Sequence, residues 1–172
     1  MKSTVDKKED LYKISNLSLF FEYRALFFLI KSLEKLSTQA ENKLPQFESW
    51  NNSQVFCVNN LSKAYGELYV FNCFVDRIDK IIDSPTKILL IQLLVLFSLT
   101  SFERDLAVFL QYNFISGNSC DLIKDEILNL CFVLKDQMIS IIDVIAPPDE
   151  ILGAPLGSSE GHVIDIIYIL DI

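Results

Sequence analysis

Glycine and proline are scarce in this chain of 172 residues, which contains only five of each. Both residues interrupt regular backbone structure, so their scarcity favours long uninterrupted elements. Three of the prolines and three of the glycines lie close together between residues 147 and 161. That stretch is predicted to stop one helix, turn the chain and allow another helix to start.

Histidine is almost absent, and this limits the chemistry that can be assigned. His162 stands alone, and the sequence has no Walker A, GxGxxG or HExxH motif. A structural or solvent-facing His162 is the preferred interpretation, and a titrating group is the alternative. Basic residues are also in the minority, with 15 Lys and Arg against 23 Asp and Glu and a net charge of −8. This balance argues against a nucleic-acid partner, because phosphates require basic patches.

Metal-binding cysteine patterns and membrane-length apolar runs are missing as well. The four cysteines form no CxxC pair, so reduced cysteines packed in the core are preferred over disulfides or a metal site. The longest apolar run, residues 88–99, is broken by Gln92 and Ser98. It is shorter than the roughly 20 residues that cross a bilayer, so we expect no membrane span. Residues 1–10 are charged and do not resemble a secretory signal.

What the chain has in abundance is apolar side chains at helical spacing, with 51% hydrophobic residues. No alternating strand pattern is seen, and the predicted fold class is all-α: a helical bundle of four long helices plus a short C-terminal helix. This domain is expected to occupy residues 17–172, after a frayed or disordered segment at residues 1–16. The predicted helices cover residues 17–41, 54–83, 87–111, 119–145 and 163–170.

Details of the pattern predict how these helices pack. Residues 42–53, which include Pro45, are predicted to be a loop, and Pro85 suits the first turn of the third helix. The third helix is nearly all apolar up to Leu99 and is expected to be the most buried element. The second helix should bury one stripe of apolar residues: Leu61, Tyr65, Leu68, Phe71, Val75, Ile78 and Ile82.

A few charged residues interrupt these apolar patterns. Glu22 and Arg24 lie two positions apart and cannot face each other on a helix, so each needs a partner elsewhere. A buried or rim ion pair is the preferred interpretation, and a catalytic carboxylate at Glu22 is the alternative. The Glu103–Asp105 segment is similarly interpreted as a solvated or ion-paired patch rather than a functional carboxylate. Asp149 and Glu150 are expected to start a turn or a short helix.

The irregular segment near the C-terminus carries a family resemblance. Asp149-Glu-Ile-Leu-Gly-Ala-Pro-Leu-Gly157, followed by Glu160-Gly-His-Val163, resembles the C-terminal domain of peroxisomal acyl-CoA oxidases. Three other segments keep that family's order and spacing: Phe21-Glu-Tyr-Arg-Ala25, Leu61-Ser-Lys-Ala-Tyr65 and Leu99-Thr-Ser-Phe-Glu-Arg-Asp-Leu-Ala-Val-Phe-Leu110. The resemblance extends from about Leu19 to the end of the chain.

The resemblance implies a function that belongs to a larger protein. The full-length family enzyme is an FAD-dependent homodimer that oxidises fatty acyl-CoA to trans-2-enoyl-CoA and releases hydrogen peroxide during peroxisomal fatty acid β-oxidation. Its base and most flavin contacts lie upstream of the region matched here. No catalytic, cofactor-binding or metal residue is therefore assigned in this chain, which is expected to be an inactive fragment when alone.

Alternatives remain open at this point. The chain ends in Leu170-Asp-Ile172 rather than a Ser-Lys-Leu-type peroxisomal signal, so a cytoplasmic location is the alternative to the peroxisome. Functionally, the alternative is a non-enzymatic helical module that docks on full-length oxidase or another helical partner. The apolar surface between Phe20 and Ile30 motivates that alternative. An unrelated helical bundle is the third interpretation.

Overall fold

The computed structural model describes residues 5–148 and residue 151, and all regular elements in this part of the chain are helical. The predicted all-α fold class is therefore confirmed. The segment at residues 163–170, together with His162, Asp149 and Glu150, lies outside the described residues. The α-helices are α1 (Ile14–Glu41), α2 (Gln46–Ser53), α3 (Asn59–Ile78), α4 (Ser84–Glu103), α5 (Leu106–Gln111), α6 (Gly117–Leu134) and α7 (Met138–Ile145).

The chain divides into two compact units, residues 1–131 and residues 132–172. In the first unit α1 contacts α2, α3 and α4, which makes it the helix around which the others are arranged. In the second unit, a 3₁₀ turn (Lys135–Gln137) leads into α7, whose Ile139 and Val144 are exposed.

An aromatic cluster forms the core of the first unit. Phe20 and Phe21 of α1 are fully buried, and their ring centroids lie 4.8 Å and 4.6 Å from that of Phe102. The ring centroid of Phe21 also lies 4.8 Å from that of Phe71 of α3, and that of Phe20 lies 5.3 Å from that of Phe109 of α5. Such pairs contribute about 0.5–1.5 kcal/mol each beyond the area that they bury. The aromatic first half of α1 therefore joins α3, α4 and α5.

The predicted loop at residues 42–53 is wrong, because most of it is helical. Pro45 stands immediately before α2 and lacks only an N–H that the first turn of a helix does not use. Its carbonyl accepts from the backbone N–H of Ser49 at 2.9 Å, and the Ser53 hydroxyl donates to the Ser49 carbonyl at 2.7 Å. A short π-helical segment, Gln54–Val58, then joins α2 to α3. The turn-forming residues Asn51, Asn52 and Ser53 therefore do not make this segment a loop.

The stripe predicted for the second helix is correct in part. Phe71 and Ile78 are buried, but Tyr65 is 65% exposed and Ile82 is 98% exposed. Ala64, rather than its larger neighbour Tyr65, is fully buried. Ile82 falls beyond the end of α3, where helical spacing no longer applies.

The third predicted helix is divided into α4 and α5. Its start is as expected: Pro85 lies in the first turn, and the Asp83 carboxylate accepts from the backbone N–H of Thr86 at 3.0 Å. It ends early because Arg104 and Asp105 form a turn, with Asp105 at φ −118° and ψ 21° as the residue before α5. The fourth predicted helix is likewise interrupted, by the 3₁₀ turn before α7.

Helix α4 is the one helix in the described part of the chain that length and apolar composition alone would allow to cross a membrane. A core helix has the same composition. Leu94, Leu99 and Phe102 of its second half are buried in the first unit, whereas Ile88 in its first half is 57% exposed. The expectation that this helix is the most buried element therefore holds only for its second half.

Residues 5–12 pack into the core of the first unit, whereas the sequence predicted a frayed or disordered segment at residues 1–16. Val5 and Leu11 are each 2% exposed and belong to the core, and Lys8–Tyr12 is a 3₁₀ turn that leads directly into α1. The buried Ser119 hydroxyl donates to the Val5 carbonyl at 2.8 Å. The polar residues between these two apolar positions obscured the anchor in the sequence.

Candidate functional site

A buried arginine joins three parts of the first unit. Arg24 lies on the buried side of α1 and is 3% exposed. Its Nε donates to Oδ2 of Asp105 at 2.5 Å, and its Nη1 donates to Oε2 of Glu67 on α3. A buried guanidinium is tolerated only when it is paired, because removing it from water costs several kcal/mol. The expectation that Arg24 needs a distant partner is met, with one partner in the predicted charged patch, whereas no ion pair is seen for Glu22 among the described residues.

Glu67 connects this pair to a second arginine. Its Oε1 accepts from Nη2 of Arg104 at 2.5 Å, and the same nitrogen donates to the Ser101 hydroxyl at 3.3 Å. The Arg104 side chain is 54% exposed, so its ion pair contributes much less than the buried one. Because both carboxylates accept from guanidinium groups, the cluster is suited to fixing the positions of α1, α3 and α5.

Glu22, considered as a catalytic alternative, has a different environment. Its side chain is on the exposed surface of α1, and its Oε1 accepts from the Ser18 hydroxyl one turn earlier at 2.7 Å. A general base is usually held in a cleft, whereas the Glu22 side chain is exposed, so the structure does not favour the catalytic alternative.

A second buried carboxylate, Glu126, was not identified from the sequence. It is 3% exposed, accepts from the Tyr12 hydroxyl at 2.5 Å and from Asn129 Nδ2 at 3.0 Å, and pairs with Lys8 Nζ at 2.7 Å. Its position between Ile123 and Leu130 on the apolar face of α6 was the available signal. Burial raises the pKa of Glu126, but the bonds from Lys8, Tyr12 and Asn129 outweigh burial and hold that pKa below 4.5.

Tyr12 is affected in the opposite direction. Its burial, together with the bond to the Glu126 carboxylate, raises the pKa of the phenol well above 10.0. The hydroxyl therefore remains a hydrogen-bond donor at physiological pH. This cluster fastens the N-terminal turn to α6, and we assign it no reaction.

Neither metal coordination nor disulfide chemistry is supported by the described residues. Residues 5–148 and 151 contain no group of three or more His, Cys, Asp or Glu side chains that could hold a metal ion. The four cysteines are free, but only Cys120 is buried, and burial raises its pKa. Cys73 and Cys131 are exposed, which corrects the expectation of core cysteines.

The side of α1 that faces away from the core is apolar as well. Leu26, Leu29, Ile30 and Leu33 recur at helical spacing and are 43–56% exposed. We call these four residues the outer face. Beyond it, α1 and α2 enclose a groove of about 730 Å³, which we call the α1–α2 groove, lined by Leu36, Ala40, Leu44, Gln46, Phe47, Ser49 and Trp50.

These surfaces do not fit a complete flavin dinucleotide. Binding its diphosphate requires unpaired cations or clustered N–H donors. The α1–α2 groove has no charged side chain in its lining. A smaller cleft of about 210 Å³ contains Lys31, but its Nζ pairs with Glu34 at 2.8 Å. In the part of the chain that the structure describes, we therefore assign no residue to FAD.

Comparison with known proteins identifies the family of the chain. A family model described as acyl-CoA oxidase matches residues 13–168. The chain belongs to the acyl-CoA oxidase family. It is 30% identical over 163 residues to the peroxisomal acyl-coenzyme A oxidase 1 of Dictyostelium discoideum, covering 89% of this chain and 23% of that protein. It is 28% identical to the human peroxisomal acyl-coenzyme A oxidase 3 over 145 residues, which is 83% of this chain and 21% of that protein.

Solved structures of acyl-CoA oxidases share the fold. The Caenorhabditis elegans acyl-CoA oxidase-1 complexed with FAD and ATP matches with a TM-score of 0.80 at 23% identity, over 99% of this chain and 25% of that one. A tomato acyl-CoA oxidase matches with a TM-score of 0.80 at 24% identity, with the same coverage. The chain thus spans about a quarter of the length of the relatives that it matches.

Proposed function

We propose that residues 17–172 are the C-terminal helical domain of an acyl-CoA oxidase. The oxidase as a whole carries out the FAD-dependent oxidation of fatty acyl-CoA to trans-2-enoyl-CoA, with release of hydrogen peroxide. The observation that carries the proposal is the coverage: 99% of this chain matches only 25% of the length of an oxidase crystallised with FAD. Relatives named as peroxisomal support a peroxisomal setting for that enzyme.

The role that we propose for this chain is support of a flavin site that is built elsewhere. Its buried charges are used between its own helices, with Arg24 between Glu67 and Asp105. The α1–α2 groove has no cation for a diphosphate. The chain alone should therefore neither retain FAD nor oxidise acyl-CoA, and a homodimer is proposed only for the complete enzyme.

A full-length chimera tests this proposal. In the Dictyostelium relative, the region matched by this chain is replaced with residues 13–168, and FAD content and peroxide release from palmitoyl-CoA are measured. We expect the chimera to retain FAD and turn over, and the isolated 172-residue chain to do neither. A folded chimera without flavin, or turnover by the isolated chain, would contradict the proposal. The unmodified relative serves as the positive control.

The second candidate is a non-enzymatic module that docks on a complete oxidase, and the exposed outer face favours it. A binding assay between the isolated chain and the complete Dictyostelium relative separates the two candidates. Stable binding that leaves peroxide release intact supports the module, and no binding together with an active chimera supports the integral domain.

A further inference from the structure

The outer face and the α1–α2 groove together form an apolar strip, which the paired side chains of Lys31 and Glu34 border beside Leu26 and Ile30. Leu33 is followed by Leu36 three residues later and Ala40 four residues after that, so the row of the outer face passes into the groove lining. On the far side of the groove, Phe47 is 81% exposed and Trp50 is 46% exposed.

Trp50 extends the strip further along the chain. It also lines a neighbouring groove of about 390 Å³, together with Val55 and Val58. Val55 is 64% exposed, and the adjacent Phe56 is 82% exposed. Between Leu26 and Phe56, large apolar side chains are therefore exposed on the second half of α1, on α2 and on the π-helical segment that follows α2.

Scattered exposed apolar residues are ordinary on protein surfaces, but contiguous apolar strips are not. Leu128 on α6 illustrates the ordinary case: it is 70% exposed, and it lines a shallow cavity together with Lys124 and Glu103. By contrast, no charged side chain lines the α1–α2 groove. A surface of this kind is typical of an interface whose partner is apolar.

We propose that the outer face and the α1–α2 groove are the surface on which the remaining part of the acyl-CoA oxidase polypeptide docks, through an apolar helix. This inference rests on the proposed function. The occupant is argued from length, because the matched oxidases have about three quarters of their chain outside the region shared with this one. The spacing of Leu26, Leu29, Ile30 and Leu33 suits a helix laid alongside α1, with bulky side chains entering the groove.

The test compares the same substitutions in the isolated chain and in the chimera. Leu29→Glu combined with Leu33→Glu places two charges on the outer face, and Leu128→Glu is the matched control. In the isolated chain, neither variant should shift the thermal midpoint appreciably, because all three side chains are exposed. In the chimera, the outer-face double variant should weaken FAD retention and peroxide release about tenfold or more, and the control should not.

The outcomes separate this inference from the proposal on which it rests. An active chimera that is indifferent to the double variant overturns the docking surface and leaves the proposed function standing. An unsubstituted chimera without FAD removes both. An isolated chain that dimerises, and that the double variant converts to a monomer by light scattering, shows that a second copy occupies the strip and overturns the assignment. The docking surface is supported if the isolated chain is a monomer and the chimera loses activity with the outer-face double variant but not with Leu128→Glu.

Discussion

The two sides of α1 are both apolar, yet they are in opposite situations. The inner side carries Phe20, Phe21 and Arg24, which are all at least 97% buried. The outer side carries Leu29 and Leu33, which are 43% and 56% exposed. A helix that is hydrophobic all round is expected to be covered all round. Among the described residues, 5–148 and 151, only the inner side of α1 is covered. The inner side therefore stabilises the fold of the first unit, and the outer side is exposed to a partner.

The contrast also explains the absence of an identified reaction centre in the described residues. On the inner side, each buried charge has a partner inside the first unit, as with Arg24 and Asp105. On the outer side, no charged side chain lines the α1–α2 groove, and the Lys31 ammonium beside the outer face is paired with Glu34. The inner side therefore serves folding, and the outer side is suited to association. Four predictions test the interactions that stabilise the first unit, two on the inner side of α1 and two in the Glu126 cluster, in order of decreasing effect.

The largest effect is expected for the aromatic core. Phe21→Ala removes a ring that packs on Phe71 and Phe102 and should lower the free energy of unfolding by about 3–5 kcal/mol. Leu33→Ala on the outer face should change it by no more than about 0.5 kcal/mol. Chemical denaturation of both variants measures the difference. Similar losses for the two would mean that the two sides of α1 are equivalent in the isolated chain.

The next effect is expected for the buried ion pairs. Arg24→Met leaves Asp105 without its guanidinium partner and should cost roughly 3 kcal/mol or more. Arg104→Met removes a half-exposed arginine that pairs with Glu67, which is also a partner of Arg24. This substitution should cost less than about 1 kcal/mol. Equilibrium unfolding in urea gives both values. Equal costs would show that burial does not govern the strength of this cluster.

The Glu126 cluster predicts an acid-sensitive contribution to stability. The folded-state pKa of Glu126 is lowered, so its contribution is present above pH 4.5 and is lost as the pH falls through the folded-state value. Glu126→Gln keeps a hydrogen-bond acceptor but removes the charge. Thermal unfolding of both proteins between pH 3 and 7 should show a stability gap of about 1.5–3 kcal/mol at pH 7 that shrinks in acid. A gap that is constant with pH would contradict this assignment.

The smallest effect is expected at alkaline pH. The pKa of Tyr12 is raised in the folded state, so the stability that the phenol contributes is present below pH 10 and is lost as the pH rises above that value. Tyr12→Phe should cost about 1 kcal/mol at pH 7. The difference from the unsubstituted protein should narrow above pH 10, as followed by circular dichroism in denaturant. A stability difference that widens above pH 10 would contradict the raised pKa of Tyr12.

Helical periodicity predicted the fold class and the need of Arg24 for a distant partner. Both followed from local rules, because a 3.6-residue repeat and a lone cation in an apolar helix have few structural solutions. The partners themselves could not be predicted. Asp105 meets Arg24 only because the chain turns at residues 104–105, and that turn depends on tertiary contacts.

Other features were missed because their local signals point the wrong way. The segment Asn51–Ser53 has turn-forming residue types but completes α2. Val5 and Leu11 are isolated among charged residues, yet they anchor the N-terminal turn in the core. The exposure of the outer face could not be read from the sequence either, because an apolar position has the same pattern whether this chain or a partner covers it.

The most direct test of the account is hydroxyl-radical footprinting of the outer face and the α1–α2 groove, compared between the isolated chain and the full-length chimera. Mass spectrometry reports the oxidation of Leu29, Leu33, Phe47 and Trp50, with exposed Leu128 as the reference position. We predict that all four are oxidised in the isolated chain and protected in the chimera, while Leu128 reacts equally in both. Equal oxidation of the outer face in the two proteins would contradict the claim that the rest of an oxidase covers this side of α1.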